Sequence, residues 1–332
     1  MAVPRRLKRD PARFWYRAPF MPERWRDIAG PVGLLPTGER NAISDVPGVL
    51  VGHSQAESGE LTDVTVITPP SLPVRAGVAT VNGVGELTKK LEIDEWGIIQ
   101  TSIYLCGTHA LGMVYHAAVL AEGGDPDNTL IPVVGECDDG DLADSRTVTV
   151  EDVLRARAAL SADVPEGSVG GGTGMTCFEF AGGIGTASRT IGDHTLGVLL
   201  MCNFGERERL TAGGLRFEPA AEPAPAEGSC IAVCATDAPM TALQLRRLAL
   251  RPLLGLARAG SYAHNGSGEI AVAFTTAREQ TLETSAMNPY FAAAYEAAEE
   301  AVYNCLVAER PPLRKRDGSL QPEFPRHLLA GA

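Results

Sequence analysis

Residues 206–240 read ERERLTAGGLRFEPAAEPAPAEG followed directly by SCIAVCATDAPM. Residues 206–228 are charged, rich in Pro, Ala and Glu and without hydrophobic periodicity, which predicts an exposed loop. Residues 229–235 are apolar, which predicts a buried strand. The chain therefore passes from a loop into the core at the step Gly228-Ser229.

The Gly228-Ser229 step has the composition that self-cleavage requires. Gly228 leaves its carbonyl unhindered, so the Ser229 hydroxyl can attack it, and hydrolysis of the resulting ester leaves Ser229 as a new N-terminus. The α-amine of such a serine has a reference pKa of about 7.7–8.0 and can accept the hydroxyl proton at neutral pH. The alternative is an ordinary Gly-Ser turn, which this dipeptide alone does not exclude.

A second candidate element is NGSGE at residues 265–269, just before an apolar strand. Ser267 and Glu269 stand at i and i+2, on the same side of an extended segment. A carboxylate near the Ser229 amine would hold it and tune its pKa, and a hydroxyl there could relay the proton. The alternative is a turn with a solvated acid.

Two further side chains are candidates for binding a carbonyl oxygen. Asn203 ends an apolar strand, and its amide could donate to a developing oxyanion. Its alternative role is a strand-end Asn that bonds its own backbone. Tyr104 lies in a strand-like stretch and is a core aromatic unless it faces a pocket, where its hydroxyl could donate to a bound carbonyl.

The order of elements favours a layered α/β fold. Helical patterns at 149–161, 240–258 and 286–308 alternate with short strands, several of which are joined by turns without a helix. This favours an α/β/β/α body over a doubly wound sheet. We expect residues 1–30 to form a basic N-terminal arm and residues 31–332 a single catalytic domain.

Motifs spread over most of the chain resemble the DmpA family of L-aminopeptidase/D-amino-acid esterase-amidases, which includes the β-peptidyl aminopeptidases. They occur in the family's order, and together they are far more specific than any one of them. The matching stretches are NAISDVPGVLVGH (41–53), NGVGEL (82–87), EWGIIQTSIY (95–104), ECDDG (136–140), GSVGGGTGM (167–175), GGIGTASR (182–189), NFG (203–205), GS (228–229), ATDAP (235–239) and NGSGE (265–269).

The resemblance implies a fold and a maturation route. The fold would be a four-layer αββα sandwich that resembles the N-terminal-nucleophile hydrolases with different strand connectivity. The precursor would cleave itself into an α chain, 1–228, and a β chain, 229–332, which stay together. Family members typically form tetramers of such αβ units.

The resemblance also implies roles for individual residues. Ser229 would be the nucleophile, Ser267 and Glu269 would contact its amine and hydroxyl, Asn203 would help to form the oxyanion hole, and Tyr104 would line the site. The expected activity is release of N-terminal amino acids from small peptides, amides or esters. No metal and no cofactor would take part.

The composition of the chain argues against a nucleic-acid partner and against a membrane role. The 332 residues carry a formal charge of -12, which argues against a nucleic-acid partner because phosphate binding needs an excess of Lys and Arg. No apolar run approaches the roughly 20 residues that span a bilayer, so no membrane role is expected. The seven cysteines show no metal spacing, and without a signal peptide they indicate reduced thiols and a cytoplasmic protein.

Two other functions stay open at this point. One is a related N-terminal-nucleophile enzyme, either an ω-amino-acid oligomer hydrolase or an acyltransferase. The other is an inactive, uncleaved homologue that serves as a scaffold. The glycines at 170–174 lack the Gly-Lys-Ser/Thr ending of a phosphate loop, and no Gly-x-Ser-x-Gly elbow surrounds Ser229 or Ser267.

Overall fold

The computed structural model describes residues 23–54, 61–219, 227–308, 310 and 312–331. The α-helices of this part, numbered in chain order, are α1 (Trp25–Ala29), α2 (Lys90–Trp96), α3 (Leu111–Ala121), α4 (Val150–Ala158), α5 (Ala242–Ala259) and α6 (Asn288–Val307). Its strands are β1 (Leu50–His53), β2 (Thr65–Thr68), β3 (Val74–Gly83), β4 (Ile98–Ile99), β5 (Ile103–Gly107), β6 (Val133–Cys137), β7 (Thr176–Cys177), β8 (Phe180–Ala181), β9 (Gly183–Ile191), β10 (His194–Asn203), β11 (Glu227–Thr236) and β12 (Gly266–Thr275).

The strands form two main sheets. The smaller has the order β1-β2-β5-β6 and the larger the order β4-β3-β12-β11-β10-β9, while β7 and β8 form a separate pair. Strand β11 lies inside the larger sheet, antiparallel to β10 and parallel to β12. Both long edges of β11 are therefore hydrogen-bonded to neighbouring strands.

The two sheets stack face to face between two layers of helices. Alternate residues of both sheets, such as Leu105 and Ile231, pack into one apolar cluster between them. The opposite face of the larger sheet is covered by α5 and α6, and that of the smaller sheet by α3 and α4. The expected four-layer αββα architecture is confirmed.

Glycine determines how closely α6 packs on β9. A Cβ at Gly185 would lie 1.9 Å from the carbonyl oxygen of Ala301, so only glycine permits this approach. The alanine-rich face of α6 presents small side chains to the same surface. The sequence pattern did not predict β9 as a strand, because its Gly and small residues suit this packing and lower its apparent β propensity.

A buried ionic network ties the sheet to α6. The Arg189 side chain on β9 is fully buried, and its Nη2 lies 2.7 Å from Glu300 Oε2. The Glu300 carboxylate also accepts from Arg26 at 2.9 Å and from Asn41 Nδ2 at 2.6 Å. Burial raises the pKa of Glu300, but the Arg26 hydrogen bond and the charge of Arg189 outweigh it, and the pKa lies below its ordinary value.

Both ends of the described chain belong to the body of the protein. Within the predicted arm, α1 places Trp25 in the core, with its ring centroid 4.5 Å from that of Tyr303; residues 1–22 of the arm lie outside the described residues. The C-terminal segment buries Phe324 and Leu329. None of the described helices combines the length and apolarity that crossing a bilayer requires.

The Arg189–Glu300 network leads to a stability prediction. Glu300→Ala leaves two guanidinium groups without their shared carboxylate and should lower the free energy of unfolding by about 3–5 kcal/mol at neutral pH. Because the pKa of Glu300 is lowered by folding, its contribution is complete above the unfolded value of about 4.3 and is lost as the pH falls toward the folded value. Urea denaturation at several pH values measures both effects.

The control for this prediction is Asp94→Ala, which removes the i,i+4 partner of Lys90 from a partly exposed pair. Its cost should not exceed about 1 kcal/mol. Equal losses for the two variants would show that the buried network contributes no more than a surface pair.

Candidate active site

Ser229 occupies a central position in the larger sheet. The strand register pairs it with Asn203 on β10 and with Gly268 on β12. Ser267 and Glu269 therefore flank the position opposite Ser229. The structure thus brings four of the predicted site residues together on three adjacent strands.

The Ser229 side chain points between the two sheets. Ile231 and Val233, which share its face of β11, belong to the cluster between the sheets. Cys137, the last residue of β6, belongs to the same cluster. Ser229 is 5% exposed, so its hydroxyl lies at a nearly dry junction of β6, β10, β11 and β12.

The Ser267 and Glu269 side chains form a buried hydrogen-bonded pair that leaves one carboxylate oxygen of Glu269 without a donor. Ser267 Oγ donates to Glu269 Oε1, whereas Glu269 Oε2 is buried and has no hydrogen-bond partner among the described residues. Burial raises the pKa of Glu269, against the opposing effects of the Ser267 hydrogen bond and the positive charge of His264. An unpartnered buried carboxylate oxygen is costly, and a cationic donor such as an ammonium group would satisfy it.

The Asn203 amide is held in one orientation by two backbone groups. Its Oδ1 accepts from the Thr176 N–H at 2.8 Å, and its Nδ2 donates to the Asp138 carbonyl at 2.8 Å. Since each partner can play only one role, the positions of amide nitrogen and oxygen are defined. One Nδ2 proton remains for a further acceptor. Neither Thr176 nor Asp138 was predicted from the sequence to be a site residue.

Gly228 is required by its surroundings as well as by the proposed chemistry. A Cβ at this position would lie 2.8 Å from the Asn203 carbonyl oxygen and 3.1 Å from Phe204 Cα. Any larger residue would push β11 away from β10 at the Gly228-Ser229 bond. The prediction that a loop reaches Gly228 is wrong at its end, because Glu227 and Gly228 already belong to β11.

Tyr104 does not join the other candidates, which corrects the expectation that it lines the same site. It lies on the outer face of β5, where its hydroxyl donates to Glu122 at 2.8 Å and accepts from Arg157 at 2.7 Å. Its neighbours Ile103 and Leu105 point between the sheets instead. Alternation along β5 therefore turns Tyr104 toward α3 and α4, away from Ser229.

A carboxylate that sequence reasoning left without a role lies close to the site. Glu136, on β6 next to Cys137, is 5% exposed and accepts hydrogen bonds from Thr108 and, at 2.7 Å, from the Glu86 N–H. A Cβ at Gly85 would lie 3.3 Å from Glu136 Oε1 and 3.9 Å from Gly268 Cα. Burial raises the pKa of Glu136. The ECDDG motif, of which Glu136 is the first residue, was the sequence feature that could have identified it as a site residue.

Comparison with known families agrees with this geometry. The model of peptidase family S58 matches residues 41–318. The chain belongs to peptidase family S58. The resemblance inferred from the motifs is thereby confirmed, and the protein is a hydrolase of the N-terminal serine aminopeptidase type.

Two proteins, one compared by sequence and one by structure, show how similar this chain is to known aminopeptidases. The β-peptidyl aminopeptidase BapA of Sphingosinicella microcystinivorans is 39% identical over 86% of this chain and 85% of its own length. A β-aminopeptidase from Burkholderia sp. superposes with a TM-score of 0.85 at 36% identity, over 93% of this chain and 98% of the other.

A second solved structure defines the fold class. The L-aminopeptidase D-Ala-esterase/amidase of Ochrobactrum anthropi, described as a prototype for the serine aminopeptidases and a variant of the Ntn hydrolase fold, superposes with a TM-score of 0.80 at 33% identity. The alignment covers 92% of this chain and 96% of the other. This S58 chain therefore has the Ntn-hydrolase-type fold.

The position of Tyr104 predicts how a variant behaves. Tyr104→Phe removes one hydroxyl from the Glu122–Arg157 pair and should cost about 1 kcal/mol of stability. Hydrolysis of an aminoacyl p-nitroanilide should keep a kcat/KM within about threefold of the wild type, since no contact with the reacting atoms is lost. A hundredfold loss at unchanged stability would instead place Tyr104 in the site.

Proposed function

We propose that the protein cleaves itself between Gly228 and Ser229 and then acts as an aminopeptidase through the Ser229 hydroxyl and α-amine. The observation that carries the proposal is the register of three adjacent strands. It pairs Ser229 with Asn203 on β10 and with Gly268, which lies between Ser267 and Glu269, on β12.

Self-cleavage is an N-to-O acyl shift followed by hydrolysis. The Ser229 Oγ attacks the Gly228 carbonyl carbon, the Gly228–Ser229 C–N bond breaks, and the nitrogen takes up the hydroxyl proton as it becomes a free amine. Water then hydrolyses the ester, which leaves a carboxylate on Gly228 and restores the Ser229 hydroxyl. Strand pairing supports this step, because it holds Gly228 against Ser267 and Ser229 between Asn203 and Gly268 in a single geometry.

Each turnover repeats the same attack on a substrate carbonyl. The α-amine of Ser229 receives the proton from Oγ as Oγ bonds to the carbonyl carbon, and the proton then passes to the leaving amine. The unused Nδ2 proton of Asn203 stabilises the oxyanion, and Glu269, with one open oxygen, holds the Ser229 ammonium. Water finally releases the acyl group from Oγ.

The substrates would be short peptides, amides and esters with a free N-terminal amine. The similarity to proteins named β-peptidyl aminopeptidase supports including β-amino-acid residues among them. A positively charged substrate amine needs a negative partner near Ser229. We propose Glu136 for this role, because its carboxylate lies beside the Gly85–Gly268 contact.

We further propose that residues 31–332 function as one catalytic domain in a cytoplasmic tetramer of αβ units. All seven cysteines are buried and free, which supports a reducing compartment. Trp96 and Leu243, both mostly exposed, line one shallow surface cavity and offer apolar contact area for a subunit. The formal charge of -12 supports small-molecule substrates over nucleic acid.

The decisive test of self-cleavage is the intact mass of the denatured protein. The wild type should yield two polypeptides, residues 1–228 and 229–332, whose masses sum to the full chain plus one water. Ser229→Ala should remain a single chain with no measurable aminopeptidase activity, and Ser229→Thr, which keeps a hydroxyl, should still be processed, more slowly. An uncleaved wild type after long incubation would contradict the proposal.

The Asn203 amide can be tested after processing. Asn203→Ala removes the oxyanion donor, and kcat should fall by about 10²–10³-fold with little change in KM. The fall should appear in pre-cleaved protein, identified by its two masses, so that slow processing does not count as slow catalysis. A kcat within a few-fold of the wild type would exclude Asn203 as the oxyanion donor.

A further inference from the structure

Three thiols meet on the helix-covered side of the larger sheet, directly behind the active site. They belong to Cys177 on β7, Cys202 on β10 and Cys305 on α6, and their sulfur atoms all lie within 4.8 Å of one another. All three side chains are fully buried, and none forms a disulfide. The catalytic proposal uses none of them.

The spacing of these sulfurs suits a metal ion. An ion that bonds three sulfurs at about 2.3 Å in a trigonal plane requires them to be about 4 Å apart, which small rotations of the side chains supply. Thiolates select soft ions such as Cu(I) and Zn(II). We propose that Cys177, Cys202 and Cys305 form an accessory binding site for a thiophilic d¹⁰ cation, Cu(I) or Zn(II).

A positively charged side chain lies next to the cluster. The Arg310 guanidinium donates to the carbonyl oxygen of Cys305 and, at 2.9 Å, to Ser168 Oγ. Binding of the cation displaces the remaining thiol protons to solvent, with no change in oxidation state.

A surface cavity and a fourth cysteine lie near the cluster. A surface cavity of about 220 Å³ reaches the last turn of α6, and Leu306 and Arg310 both line it. Cys230 is paired with Cys202 in the register of β10 and β11, and its side chain lies on the same buried face of the sheet. Cu(I) is satisfied by three sulfurs, whereas Zn(II) prefers four and would recruit Cys230.

The proposed metal site is adjacent in sequence to Asn203 and to Thr176, which orients the Asn203 side chain. Cys202 precedes Asn203, and Cys177 follows Thr176, whose N–H holds the Asn203 side chain. A bound cation would therefore link the two strands that orient the amide. The binding proposal itself is independent of the proposed catalytic function, because it rests on the three thiols alone.

The test is a titration of the purified, anaerobically reduced full chain with Cu(I) and, separately, Zn(II), each in competition with a chromophoric chelator. The wild type should bind one ion per chain and develop a thiolate-to-metal charge-transfer band in the ultraviolet. Cys305→Ala should weaken binding by at least about tenfold, since it removes a direct ligand. The ion that binds with the higher affinity in these two titrations is the one that the site prefers.

Cys234→Ala is the matched control. Cys234, on β11, is as fully buried as Cys305 but lies outside the cluster. Its loss creates a similar void and should leave metal binding unchanged. Absence of binding in the wild type, or equal weakening by both variants, overturns the proposal. If Cys305→Ala does not fold, X-ray absorption of the metal-loaded wild type decides: sulfur ligands alone support the site, and a nitrogen or oxygen shell refutes it.

Discussion

Hydrogen bonding of β11 along both of its edges fixes the positions of the core and the site relative to each other. An antiparallel neighbour on one side and a parallel neighbour on the other leave Ser229 a single position along each strand. Because side chains alternate in direction, a slip of one residue would turn the hydroxyl from the space between the sheets toward the helices. The register of this strand therefore determines both the core and the site.

The surrounding layers make that register rigid. The fully buried Arg189 and its carboxylate partners lock α6 onto β9, while Gly185 lets the helix approach the sheet closely. Nearly every charge in this network has a partner. Glu269 differs, because one of its buried oxygens has none among the described residues. An open carboxylate oxygen of this kind can accept a hydrogen bond from a cationic group such as an ammonium.

The sequence predicted much of the fold and part of the site. Long periodic segments such as α5 and α6 and apolar strands such as β10 were predicted within a few residues. Strands β3 and β9 were missed, because Gly and small residues hide the apolar alternation of β9 and the turn-rich NGVGEL motif obscures the end of β3. Tyr104 was placed in the site although its strand turns it outward. The face that a residue presents depends on which side of the sheet is the core, and a strand buried on both faces does not reveal this.

By itself, the sequence determined the chemical groups available: a Gly-Ser step at the entry to a buried strand, a hydroxyl and a carboxylate two residues apart, and an amide at a strand end. These are local facts about residue type and spacing. The folded chain is needed to show that β10, β11 and β12 are neighbours, that Thr176 and Asp138 orient Asn203, and that three distant cysteines converge behind it. Such contacts join residues far apart in the chain, and their geometry arises from packing of whole layers, which no local pattern encodes.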